Sequence, residues 1–505
     1  MQQNRIALGI QAFQQAQAAH AGKDYEQAAK LYRKALLLMP DNAKVLLEAS
    51  QLAMAMKDWV SAETLFRKIG KLRPQSNYEG YLGEALFRQG KFAEAIPFFR
   101  EYLARFPENT DVMHALANSL CSLGQWEEGH AMAIRAQQLC PKAKYLDSVL
   151  NALYHMGRVD ELEALATEAL KQYPESPEIR SMYSLHKLKS GDLAEGFRYF
   201  ADFRWRNNLD TPPDGGTPGQ WWDGKPFDGT LLITAEQGMG DELMASSVFD
   251  DIIAMGQKAV IECDARLVPV YERSFPALQF VVRGERKLNE IHDAGGRFRK
   301  INMLDLASLF RTAPNSFPAR RGWLKADPEK TAGFRSRYRH QWPGKTLVGI
   351  SWKSTRIMEG GADKGIRLAD FAPLLAIPAA TFINMQYGAV GEEIAAAAAS
   401  GCGEIHVDAA VDTTNDIDTV FAQTAALDLV VSTSNTAVHI AGALGVPCYL
   451  LLPKTRPMLW YWGYRGEHTP WYPSLRLLRN PQEDNWQELM EEVARRVADE
   501  RTPAP

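Results

Sequence analysis

Val430-Val431-Ser432-Thr433-Ser434-Asn435-Thr436-Ala437-Val438-His439 is the stretch on which the second half of this chain turns. The residues leading into it, 427–431, are mostly apolar and partly β-branched, the composition of a buried parallel strand. Ser, Thr and Asn then cluster, and these residues cap helix N-termini. Small apolar residues follow at helical spacing as far as Gly445, a suitable C-cap before Val446-Pro447. Strand, hydroxyl-rich turn and helix place backbone N–H groups and a positive dipole end at the carboxyl edge of a sheet, where α/β proteins bind phosphate. An ordinary, well-capped βα turn fits the same residues equally well.

The segments around it alternate strand and helix. Residues 347–352 form an apolar strand that runs into Lys353-Ser354-Thr355-Arg356 and then Gly360-Gly361-Ala362-Asp363-Lys364-Gly365. Hydroxyls and cations at a strand end, followed by a glycine loop bearing Lys364, suit an anionic group; a solvated charged loop is the alternative. Helix is expected over 368–375 and 417–425, and strand over 382–386, 405–407 and 448–453. This alternation predicts a parallel, doubly wound sheet. Six of the thirteen residues 460–472 are aromatic, either stacking faces for a base or sugar or anchors for a long loop. Residues 484–500 form a closing amphipathic helix.

An earlier strand, 231–234, precedes Glu236-Gln237-Gly238-Met239-Gly240-Asp241 and a helical run. Gly238 and Gly240 do not form a dinucleotide fingerprint, since Gly240 is followed by Asp-Glu-Leu, and most simply allow close backbone approach. Asp241 is expected at a helix start, as a cap or as a general base at the mouth of a cleft. Strands follow at 260–264 and 280–282, with a helix over 267–273 between them.

The first 205 residues repeat. Pro40, Pro74, Pro107, Pro141 and Pro174 are spaced by 34, 33, 34 and 33 residues. Ala28, Ala62, Ala95, Gly129 and Leu162 lie twelve before them, and Tyr32, Phe66, Phe99, Ala133 and Ala166 eight before. Tyr25, Trp59, Phe92, Trp126 and Val159 begin the same registers. Helical hairpins stacked at this period present a concave surface for extended peptides or helices. A sixth, degenerate unit ends the array, and a Pro/Gly-rich linker bearing Trp221-Trp222 follows.

The chain has 505 residues, 46% apolar and 23% charged, with a net charge of −4. That balance gives no electrostatic footprint for nucleic acid. No apolar run is long enough to span a bilayer, no signal peptide is visible, and Cys121, Cys140, Cys263, Cys402 and Cys448 are scattered without a metal-type or redox-type pair. A cytoplasmic protein is expected.

The repeats look like a tetratricopeptide (TPR) array, most clearly through Leu82-Gly83, Phe92, Ala95, Phe99 and Pro107. Residues 230–500 resemble heptosyltransferase-type GT-B glycosyltransferases, and the whole chain resembles bacterial tetratricopeptide-repeat glycosyltransferases, some of which modify flagellin. The fold so implied is α + α/β: a TPR α-solenoid over 1–205, a linker over 206–229, and a GT-B unit of two Rossmann-like halves. The half at 230–340 would lie on the acceptor side, and 341–505 on the nucleotide-sugar donor side. The resemblance implies Asp241 as catalytic base. It further implies that Gly238, Gly240, Ser351, Lys353, Lys364, Ser434, Asn435, Thr436 and His439 serve the donor phosphate or nucleotide. A nucleotide sugar would be a co-substrate with no further cofactor, and no metal is implied. The acceptor would be a protein held by the TPR groove, flagellin among the implied candidates. Those enzymes carry Asp-Ser/Thr-Gly where this chain has Ser434-Asn435-Thr436, so the sugar is not specified. The alternatives are a non-enzymatic TPR adaptor with a degenerate GT-B domain and a heptosyltransferase acting on a lipid-linked glycan.

Overall fold

Proline lacks the N–H that would continue a helix, and the computed structural model places a helix end two residues before each periodic proline. It describes residues 2–74, 77–202, 221–235, 238–284, 297–354, 365–454, 458–482 and 485–499. Helices α2 (Tyr25–Leu38), α4 (Trp59–Leu72), α6 (Phe92–Arg105), α8 (Trp126–Leu139) and α10 (Val159–Gln172) begin at the periodic bulky residue. Each of the first four pairs with the helix before it: α1 (Gln2–Ala21), α3 (Ala43–Ala55), α5 (Tyr78–Arg88) and α7 (Thr110–Ser122), and α9 (Ala143–Met156) packs on α8. The periodic small residues Ala28, Ala62 and Ala95 are fully buried between helices, as are Phe66 and Phe99. Gly83 shows why the register demands small side chains: a Cβ there would lie 2.6 Å from the Phe99 ring. Side-chain caps recur at Asp24, Asn42, Asp58 and Asn109.

Compactness divides the chain into one unit of 1–165 and another of 166–357 with 363–505. Helices α11 (Pro177–Ser190) and α12 (Leu193–Arg198), read from the sequence as the end of the array, fall in the second unit. The cause is packing: Leu188, Leu193, Phe197 and Phe200 share a core with Trp460 and Trp471.

Among the described residues, the second unit contains two all-parallel sheets. The first has strand order β3-β2-β1-β4, from β1 (Thr230–Thr234), β2 (Ala259–Cys263), β3 (Gln279–Val282) and β4 (Phe298–Asn302). The other has order β10-β9-β8-β5-β6-β7, from β5 (Thr346–Ser351), β6 (Ala380–Asn384), β7 (Ile405–His406), β8 (Leu429–Thr433), β9 (Cys448–Leu452) and β10 (Leu475–Arg479). In both, the chain moves outward in one direction and returns to the other side of its starting strand. The order therefore reverses between β1 and β4, and between β5 and β8. Open parallel sheets bind ligands outside the carboxyl ends of their strands at such reversals.

Sequence and structure differ in several places. β8 runs two residues beyond the expected end, through Ser432 and Thr433. The edge strands β4 and β10 are additional. The helix Pro328–Gln341, which falls in the expected first half, packs on Ile417–Ala425 of the other sheet's layer, with Tyr338 receiving a hydrogen bond from Gln423 at 2.9 Å. The two tryptophans of the linker fasten onto the first sheet: Trp221 bridges to Lys300, and Trp222 is buried with its backbone N–H donating to Lys300 O of β4 at 2.9 Å. Among the described residues, no helix is long and apolar enough to cross a membrane.

Candidate functional site

The turn after β8 is built by its own hydroxyls and amides. Asn435 adopts an extended conformation and accepts the Ala437 N–H at 3.0 Å, capping the helix Thr436–Leu444. Its Nδ2 donates to Ser351 Oγ at 2.7 Å and to Lys353 O at 3.2 Å, while Oδ1 accepts from Ser432 Oγ at 3.1 Å. The two serines are in register on adjacent strands, Ser351 opposite Ser432. One asparagine therefore ties the ends of β5 and β8 together at the strand-order reversal.

Gln386, just past β6, completes this network. Its Oε1 accepts Ser351 Oγ at 3.0 Å and the N–H groups of Trp352 and Lys353 at 3.0 and 2.9 Å. Lys353 forms an ion pair with Glu393, whose other oxygen accepts Trp352 Nε1 at 2.8 Å. Ser351, Asn435 and Lys353 are thus engaged by protein groups and hold the strand ends in place. Ser434 and Thr436 are only half-buried and form the accessible part of the turn. Ser434 Oγ accepts the Trp462 indole N–H at 2.9 Å. Lys364 lies outside the described residues.

The other reversal is brought against this one. Gly238 caps the short helix Met239–Ala245, which packs on Thr436–Leu444. The approach is close: a Cβ on Gly240 would lie 2.8 Å from His439 Cδ2 and 2.9 Å from its Nε2. The glycine expected to permit close backbone approach does so, and what approaches is the histidine from the opposing turn. His439 is buried, and its Nδ1 shares a 2.7 Å hydrogen bond with the Tyr472 hydroxyl. Asp241 is half-buried and accepts the Tyr461 hydroxyl at 3.3 Å. Burial first, then the Asp241 charge, holds both phenols far above the usual tyrosine range, so both stay protonated at neutral pH.

The aromatic segment resolves toward anchoring. Trp460, Tyr461, Trp462, Trp471 and Tyr472 are all buried. Trp323 stacks on Tyr472 at 5.4 Å, and Phe317 meets Trp471 edge-on at 4.9 Å. The polar tips of Tyr461, Trp462 and Tyr472 nonetheless reach Asp241, Ser434 and His439.

Three participants were missed in the sequence: Gln386, Glu393 and Glu242. Gln386 was visible as the polar end of a strand, and only the strand order makes it the neighbour of Ser351. Glu242 is almost fully buried, accepts Asp264 N–H at 3.0 Å and pairs with Arg283. Burial lifts its carboxyl to about 7 against those two favourable contacts. It joins the helix start beside Asp241 to the ends of β2 and β3.

Residues 19–82 and 86–146 match the tetratricopeptide repeat model. The N-terminal helices are a tetratricopeptide array. Over 94% of its length the chain is 29% identical to Protein FlbA of Caulobacter vibrioides, covering 82% of that protein. It is 26% identical to Tetratricopeptide repeat protein 21A of Mus musculus over 178 residues, which is 34% of this chain and 13% of that one. Among solved structures, MamA 41-end from Desulfovibrio magneticus RS-1 is 18% identical with a TM-score of 0.31, covering 34% of this chain and 98% of that one. PilW, described as a widely conserved type IV pilus biogenesis factor, is 17% identical with a TM-score of 0.34, covering 40% and 94%.

Proposed function

We propose that the second unit is a GT-B-type glycosyltransferase, moving a sugar from a nucleotide-activated donor to a Ser or Thr hydroxyl of a protein held by the repeats. The observation that carries this reading is the meeting of the two strand-order reversals, with Gly240 against His439 and Asp241 held by Tyr461. A donor phosphate belongs at the Ser434–Thr436 turn, where backbone N–H groups and the helix dipole favour negative charge. An acceptor hydroxyl belongs at Asp241, the half-buried carboxylate across the crevice.

In this mechanism the acceptor oxygen attacks the anomeric carbon and the bond from that carbon to the phosphate oxygen breaks. Asp241 takes the hydroxyl proton. The turn's N–H groups stabilise the departing nucleoside diphosphate, and Lys364 is expected to add a cation. Ser351, Asn435, Lys353 and His439 act by positioning: their side chains are bound to other protein groups and hold the turn and Gly240 in place. The match to FlbA over most of the chain supports treating repeats and sheets as parts of one working unit. Flagellin is one acceptor class to test.

The test is Asp241→Asn. The variant should lose roughly 10²–10⁴-fold in transfer while nucleoside diphosphates stabilise it against heating as they do the parent. Near-normal turnover would remove Asp241 from the mechanism. A second reading, a non-enzymatic adaptor, draws on the ion pair that occupies Lys353 and the buried state of Ser351 and Asn435. It predicts no turnover with any nucleotide sugar.

A further inference from the structure

The reaction proposed above asks opposite hydrogen-bonding roles of its two walls: a donor toward the phosphate and an acceptor toward the hydroxyl. Side chains from one short turn, Trp460–Trp462, reach both. That turn is fixed from several sides. Trp460 is buried edge-on against Phe197 of α12 at 5.8 Å and against Trp471 at 5.2 Å. Thr469 Oγ1 donates to Tyr461 O at 2.9 Å, and the Arg479 guanidinium donates to Trp462 O at 2.6 Å. Packing and bonded carbonyls of this kind lock the side chains that a site depends on.

The two residues after Trp460 diverge. Tyr461 donates to Asp241 Oδ1 at 3.3 Å, while Trp462 Nε1 donates to Ser434 Oγ at 2.9 Å. The His439 ring meets both, at 5.8 Å from Tyr461 and 5.4 Å from Trp462. An indole N–H can only donate, so Ser434 Oγ is the acceptor in its contact and its own proton points elsewhere. Among the described residues, no group accepts that proton, and Ser434 is half-buried on the turn after β8. An ionised carboxylate can only accept, and a phenol that donates to one of its oxygens restricts how the group turns.

We propose that Tyr461 and Trp462 are positioning residues with divided roles. Tyr461 orients Asp241 to take the acceptor proton, and Trp462 commits the Ser434 hydroxyl to donating to a phosphate oxygen of the sugar nucleotide. This division rests on the sugar-transfer reading. It makes one turn responsible for the hydrogen-bonding sense of both walls, through adjacent residues that can be changed separately.

Steady-state transfer by the full chain tests it, varying whichever UDP-, GDP-, ADP- or dTDP-linked sugar the parent turns over. Tyr461→Phe keeps the ring and should lower kcat roughly tenfold or more at an unchanged donor KM. Trp462→Phe keeps an aromatic ring without the N–H and should raise the donor KM roughly threefold or more at an unchanged kcat. In a Ser434→Ala chain, Trp462→Phe should raise KM no further, an outcome that a general packing defect would not give. Ser434→Ala removes only a half-buried hydroxyl and carries the test where a buried variant fails to fold: it should raise the donor KM and leave kcat. Turnover in the parent with parent-like constants in the folded variants, or with the same change in both, would overturn the division and leave sugar transfer standing. No turnover in the parent with any donor would remove both.

Discussion

Two residues test the meeting of the strand-order reversals. Gly240 admits the His439 ring only because it has no Cβ, the added carbon falling 2.8 Å from Cδ2. Gly240→Ala should cost about 1–3 kcal/mol by overpacking, read as a lower urea midpoint, and should shift the His439 ring resonances. An unchanged histidine environment would contradict the contact. Glu242 makes a pH-dependent prediction. Its folded pKa is raised from 4.5 to about 7, so the native chain holds this proton more tightly than the unfolded one. The stabilisation is fully present below pH 4.5 and is lost as pH rises through about 7. Glu242→Gln cannot titrate, so the melting temperature of the parent relative to this variant should fall across that window. A flat difference would contradict the assignment.

At the scale of elements, the helix Thr436–Leu444 is held to the aromatic loop through Gly442, where a Cβ would come 2.3 Å from Tyr472 Cδ1. Gly442→Ala should displace the ring that bonds His439 and lower stability by about 1–3 kcal/mol. Gly391→Ala, at an open position in Gly391–Ala399, should instead raise it by about 0.4–1 kcal/mol. Urea denaturation distinguishes them. Elements buried on all sides were legible in the sequence, because continuous apolar runs such as 429–431 and 448–452 have few other uses. β4 and β10 were not, since an edge strand keeps charged residues such as Arg299, Lys300 and Arg476 among its apolar ones. Pro328–Gln341 was obscured for a similar reason: Phe334 and Tyr338 alone are buried in fourteen residues. The turns at Gly240 and Ser434 were visible as candidate sites. That they stand opposite one another follows from the family resemblance, but the direct contact of Gly240 with His439 was not legible, because it depends on strand order and on the loop that carries Tyr461 and Tyr472.

For the whole molecule, the proposed function gives the tetratricopeptide array the role of holding a protein partner, and gives the two strand-order reversals the transfer chemistry, with Asp241 on one helix start and the capped turn Ser434–Thr436 on the other. Acceptor recruitment and sugar transfer would then be two parts of one reaction. The most direct measurement is release of nucleoside diphosphate from a panel of nucleotide sugars by the full chain, with protein from cells lacking this gene as acceptor. The sugar should be located on the acceptor by mass. Release and a matching mass increase are expected with at least one donor, both abolished by Asp241→Asn. No release with any donor, or equal release by the Asp241→Asn chain, would contradict it.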